Sequence, residues 1–185
     1  MKYRLIASAA LLLGAASFVS CIDEGESNEV IDQQDKEEIE AYLEENAMPS
    51  AKEFKDVNNS IYVFWEVSVD PEVNDELLRL DTVKVDYVGS LLTNEVFDTS
   101  IEQVAKDNDI YNSQRKYVPL VFPLGGSVIP GFEFAVSLMR VGEKATVIFP
   151  SRLGYGTQAQ NAIPSNSPLI FQLELLQVKN GPNHQ

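Results

Sequence analysis

The run TVKVDYVGSLL, residues 82–92, sets Val83, Val85 and Tyr87 in alternation with Lys84 and Asp86. Side chains two apart share one face of a strand, so this run buries one face and wets the other. IYVFWEVSV from residue 61, KATVIF at 144–149 and PLIFQLELLQV at 168–178 are likewise rich in the β-branched and aromatic residues that suit a pleated surface. The second half holds one strongly helical segment, in which Phe132, Val136 and Met139 share a face with Ala135 and Leu138 beside them. Several antiparallel strands with one short helix predict an α+β domain over residues 60–180, a curved antiparallel sheet wrapped around that helix. No internal repeat is visible, and the end, KNGPNHQ, reads as a frayed tail.

The N-terminal third has a different character. Met1 to Arg4 are basic, Leu5 to Val19 are apolar with small residues toward the end, and Ser20-Cys21 closes the run. Residues 1–20 therefore read as a signal peptide, too short for a membrane span of about 20 apolar residues. The pattern resembles a bacterial lipoprotein signal, with Phe18 where leucine is usual, and this implies lipidation of Cys21 and a place in the bacterial cell envelope. Residues 21–35 are acidic and read as a solvated tether; Asp23, Glu24 and Glu26 are of the kind that sometimes signal surface export. Over 36–59 a helix and linker are expected: Ile39, Tyr42 and Leu43 recur at helical spacing, with Asp35 and Glu38 as a capping pair and Asn46 to Pro49 as the stop. One narrow apolar stripe predicts weak packing.

Charge and chemistry exclude several functions. Lys and Arg number 14 against 28 Asp and Glu, a formal charge of −14, which disfavours phosphate contacts and hence nucleic-acid binding. Cys21 is the only cysteine, so no disulfide staples the fold. The only histidine, His184, lies beside the terminus, so a zinc site or a Ser-His-Asp triad lacks its central residue. Gly125-Gly126 is followed by no Gly-Lys-Ser/Thr and makes no phosphate loop. No metal and no cofactor is expected. What remains is a set of aromatic and aliphatic residues at strand ends and loops: Tyr87 ahead of Gly89, Phe97-Asp98, Phe122, Val128-Ile129 before Pro130-Gly131, Tyr155 between two glycines, and Ile163-Pro164.

In their order, VKVDYVGSLLTNEVFDTS (83–100) and FPLGGSVIPGFEFAVSLMRVGEKATVIFPSRLGYGTQAQNAIPSNSPLIFQLELLQV (122–178) resemble the FKBP-type peptidyl-prolyl isomerases. The resemblance implies a proline pocket lined by Tyr87, Phe97, Asp98, Phe122, Val128, Ile129, Phe132, Tyr155, Ile163 and Phe171. Val128 and Ile129 would form its upper wall, and the Ile129 N–H would bond the substrate carbonyl. Phe132 would be the floor, the Tyr155 hydroxyl would hold a neighbouring carbonyl, and Asp98 would lie near the rotating amide. It further implies proline-containing polypeptides as partners and macrolide inhibitors as ligands.

Three departures from the family pattern stand out. Phe132 replaces the usual tryptophan of the floor, and Leu120 stands where an aromatic is common at the rim. The stretch SIEQVAKDNDIYNSQRKYVPL, residues 100–120, is longer than in the minimal domain; Ser100 with Gln103 reads as a capping box, and Ile101, Val104 and Ala105 as a short helical stripe. The expected function is a lipid-tethered prolyl isomerase assisting exported proteins. Its alternative is a catalytically weak proline-peptide binding module or chaperone with the same fold.

Overall fold

The computed structural model describes residues 28–72 and 76–184, so the expected signal segment, Cys21 and the start of the tether lie outside the described residues. Its strands are β1 (Lys52–Asp56), β2 (Ile61–Val67), β3 (Thr82–Leu91), β4 (Val96–Thr99), β5 (Leu120–Pro123), β6 (Lys144–Phe149) and β7 (Leu169–Lys179). All pair antiparallel in one sheet of order β1-β2-β6-β7-β3-β4. Strand β5 pairs with Thr82 to Val85 of β3, and β4 pairs with Val88 to Ser90. At the gap between them the Ser100 hydroxyl accepts the Tyr87 N–H at 2.9 Å.

Helix α3 (Pro130–Ser137) packs on one face of the sheet. Proline opens it at a position where an N–H is not needed, and the Glu133 carboxylate takes the N–H groups of Gly125 and Gly126 at 2.8 Å each, which fixes the entering loop. A Cβ on Gly131 would overlap the Phe149 ring, so glycine there lets the helix lie directly on β6. Phe132, Ala135, Val136 and Met139 are buried against Val63, Trp65, Val83, Val85, Val147, Leu173 and Leu175.

The opposite face carries α1 (Asn28–Glu45), whose Ile39 is fully buried among Tyr62, Phe64, Ile148 and Ile170. Coverage on both faces explains why IYVFW is apolar without alternation: Ile61, Val63 and Trp65 face α3 while Tyr62 and Phe64 face α1. Burying each such side chain contributes about 1.5–3 kcal/mol, so α1 is a docked element and not the weakly packed helix expected.

The structure corrects five further expectations. The acidic segment up to Asp35 is not all tether, because α1 starts at Asn28: Ile31, Asp35 and Ile39, four residues apart, form its buried stripe, and Asp35 sits inside the helix, not at its cap. The expected linker contains β1, an edge strand whose charged KEFKD hid the β pattern. Helix α2 (Glu102–Asp107) exists in the long stretch, yet its N-cap is Ile101 and no side chain caps it; the Ser100 hydroxyl donates to Asp86 at 2.7 Å instead, and Gln103 to Asp107. The C-terminal tail is tied down. Asp81 is fully buried and its carboxylate needs donors, which Leu78 N–H, Gly181 N–H and His184 Nε2 supply at 2.7, 2.7 and 2.8 Å.

Candidate functional site

Where the N-terminus of α3 meets the split edge of β3, a hollow of about 230 Å³ opens. Phe132 is its floor: the first turn of α3 lifts the ring, which is 3% exposed, against three others. It meets Phe171 edge to face at 5.1 Å and 86°, Tyr87 at 5.8 Å and 84°, and Phe122 at 5.9 Å. Phe97 from β4 closes on Phe171 at 5.6 Å and 80°. Edge-to-face contacts of this kind add about 0.5–1.5 kcal/mol each beyond their buried area. They pack the rings against one another around the hollow. Gly89 makes this possible, since a Cβ there would lie 2.7 Å from both Phe97 and Phe171.

Val128, Ile129 and Leu120 form the apolar rim. Ile129 is the N-cap of α3 with extended backbone, and its N–H has no partner among the described residues. Tyr155 lines the mouth; its hydroxyl is likewise without a hydrogen bond among the described residues, and burial, aided by the charge of Asp98, raises its pKa. Two polar groups at the edge of an apolar hollow are therefore free to meet a ligand.

The third polar group is not free. Tyr87 donates to Asp98 Oδ2 at 2.7 Å, the Thr99 N–H reaches Asp98 Oδ1 at 2.9 Å, and Arg115 pairs with Asp98 through Nη1. Arg115 Nη2 also donates to the Tyr87 hydroxyl at 3.0 Å. Burial first, then the hydrogen bond to Asp98, push the Tyr87 hydroxyl up to about 12. It stays protonated at any physiological pH and acts as a fixed donor. The guanidinium of Arg115 in turn lies 5.2 Å over Tyr117, whose ring stacks on Tyr111 at 5.6 Å, so the long 100–120 stretch braces Asp98 from outside.

Of the residues singled out from the sequence, Tyr87, Phe97, Asp98, Val128, Ile129, Phe132, Tyr155 and Phe171 converge on this hollow. Phe122 and Ile163 are buried in the core beside it: the Phe122 ring lies 5.9 Å from that of Phe132, and the Ile163 backbone pairs with Gln160. Sequence reasoning missed Arg115, a loop residue whose spacing to Asp98 follows no regular period.

An antiparallel sheet wrapped on one helix, with an aromatic hollow at that helix's N-terminus, places the protein in the FKBP-like fold class. The chain belongs to the FKBP-type peptidyl-prolyl cis-trans isomerase family, whose model matches residues 74–176. Among curated relatives, a short-type peptidyl-prolyl cis-trans isomerase of Methanocaldococcus jannaschii is 49% identical over 84 residues, covering 45% of this chain and 53% of that protein. FK506-binding protein 2 of Yarrowia lipolytica is 39% identical over 111 residues, 59% of this chain and 68% of that one. A crystal structure of a peptidyl-prolyl cis-trans isomerase from Pseudomonas syringae superposes with a TM-score of 0.55 at 25% identity, covering 84% of this chain and 98% of that one. The match to the archaeal relative thus spans about half of that relative's length.

Proposed function

We propose that the protein catalyses cis–trans isomerisation of Xaa-Pro bonds in polypeptides. The observation that carries this reading is the closely packed aromatic hollow with the Ile129 N–H and Tyr155 hydroxyl, unpartnered among the described residues, at its mouth. Rotation about the amide breaks its resonance, a barrier of about 18–20 kcal/mol, and each 1.4 kcal/mol removed is about tenfold in rate. A planar amide is more polar than a twisted one, so it loses more on entering an apolar hollow. The proline ring sits on Phe132, the Ile129 N–H takes the carbonyl of the bound residue, and the Tyr155 hydroxyl takes a neighbouring carbonyl. Donors fixed before the substrate arrives favour the twisted geometry without further reorganisation. Asp98, held by Tyr87, Thr99 and Arg115, contributes a fixed negative charge beside the rotating bond. No nucleophile is required.

We further infer that the substrates are exported proteins, met at the bacterial cell envelope, with the chain tethered by a lipid on Cys21. Macrolide inhibitors would compete for the same hollow. Mass spectrometry of membrane fractions should find an acylated Cys21 as the first residue; a soluble product starting elsewhere would refute the tether. The isomerase reading itself is tested by adding the purified protein to an Xaa-Pro peptide in a protease-coupled assay. Turnover that Tyr155→Phe slows supports it, and no acceleration by the wild type refutes it.

Phe132 favours a second reading, a proline-peptide binding module, because a phenylalanine floor is smaller than the tryptophan of the family pattern and carries no indole N–H. Saturable peptide binding with an unaltered isomerisation rate would single it out.

A further inference from the structure

Asp35 lies on the inner face of α1 and is 2% exposed, between Ile31 and Ile39 of the same stripe. A carboxyl group there is costly to bury, and burial raises its pKa, whereas a leucine would dock the helix at no such cost. Its place is explained by what it holds. Asp35 Oδ2 accepts both the N–H of Ser151 at 2.8 Å and its hydroxyl at 2.6 Å, across 116 residues of chain.

Ser151 opens a 3-10 turn, Ser151–Leu153, that leads straight to the mouth of the hollow. Its carbonyl accepts the N–H groups of Gly154 at 2.8 Å and Gly156 at 2.9 Å, the two neighbours of Tyr155, and the Gly156 carbonyl accepts the Asn166 N–H at 2.8 Å. Arg152, next to Ser151, makes a parallel tie: its Nε is 3.2 Å from Asp32 of α1, and its Nη2 donates to the Asn59 carbonyl at 2.9 Å. Hence a single residue, Ser151, separates the buried carboxyl of α1 from the N–H groups of both glycines that flank Tyr155. Glycine on either side leaves that segment with little stiffness of its own.

We propose that Asp35 is a positioning residue for Tyr155: through Ser151 it sets the Gly154-Tyr155-Gly156 segment, so that α1 is part of the isomerase unit and not a spacer in front of it. This rests on the isomerase reading above. A hydrogen-bonded tie of this size is worth about two- to tenfold in a rate that depends on it.

The test uses the full chain and two readouts, kcat/KM on an Xaa-Pro peptide and hydrogen exchange at the Ser151, Gly154 and Gly156 amides. Asp35→Ala should lower kcat/KM about three- to tenfold and speed exchange at these amides. Asp35→Asn keeps an acceptor oxygen and should stay within about twofold of wild type. Ile39→Ala, which loosens the same helix without touching Ser151, should also stay within about twofold. Combined with Tyr155→Phe, Asp35→Ala should cost no more than Tyr155→Phe alone. If the two losses multiply, or if Ile39→Ala slows turnover as much as Asp35→Ala, the proposal is wrong. Should Asp35→Ala fail to fold, Ser151→Ala, which removes only the hydroxyl donor, takes its place in the same cycle. An inactive wild type would overturn the isomerase reading, and the exchange data would still decide the tie: unaltered exchange in Asp35→Ala refutes it, faster exchange supports it.

Discussion

The rings of Phe132 and Phe171 meet edge to face, with centroids 5.1 Å apart and planes at 86°. One comes from the helix and the other from the sheet that wraps it, so this contact joins the core to the hollow. Removing the Phe132 ring should cost about 3–5 kcal/mol, the usual penalty for a buried phenylalanine cut to alanine. Denaturant unfolding of Phe132→Ala measures it; a loss below about 1 kcal/mol would mean that the floor is not packed as described.

Tyr87→Phe removes one donor to Asp98 and leaves the Arg115 and Thr99 contacts. We expect a stability loss of about 0.5–1.5 kcal/mol. The pH dependence has a definite sign. The folded-state pKa, about 12, lies above the ordinary 10, so the contribution is complete below pH 10 and is lost as pH rises toward 12. Ultraviolet titration of the tyrosines should lose its highest-titrating group in Tyr87→Phe; an unaltered high-pH limb would contradict the assignment.

Glu143 is fully buried just before β6 and takes donors from Trp65 Nε1 at 2.9 Å, the Arg140 N–H at 2.9 Å, the Val69 N–H at 3.1 Å and Lys52 Nζ at 3.3 Å. Burial opposes its ionisation, but these donors outweigh it and hold the pKa below the ordinary 4.5. Its stabilising effect is therefore present above the ordinary value and lost as pH falls through the lowered one. Glu143→Ala should destabilise by about 3–5 kcal/mol, since it strands the buried donors. Thermal unfolding checks this, and Glu143→Gln, which keeps the shape, should lose less.

Residues 180–184 close over Asp81, whose pKa is lowered because Gly181, His184 and Leu78 overcome the burial that would raise it. Cutting the chain after Lys179 leaves that carboxylate short of two donors and should cost about 1–3 kcal/mol at neutral pH. The loss should shrink as pH falls through the lowered pKa of Asp81. A truncated chain as stable as the full one would show the tail to be frayed.

The hollow was legible through the resemblance to the FKBP-type isomerases, which the order of Tyr87, Phe97-Asp98, Val128-Ile129 and Tyr155 along the chain carries. Strands β3 and β6 were legible from local spacing, as alternation or β-branched density over a few residues. What stayed hidden depends on contacts between distant segments. Asp35 reads as a cap until Ser151, 116 residues away, is seen to need it. His184 reads as isolated until Asp81 is found beside it, and Arg115 has no local signature that points to Asp98. Strand β1 escaped because an edge strand keeps its charges.

The central claim is that this hollow lowers the barrier to prolyl rotation and does not merely hold a proline. Exchange spectroscopy on an Xaa-Pro peptide, with the protein well below stoichiometric, reads that barrier without a coupling protease. The account predicts cis–trans exchange faster than in buffer, slowed by Tyr155→Phe and raised when Phe132→Trp enlarges the floor. Saturable binding of the peptide with exchange left at its rate in buffer would contradict it.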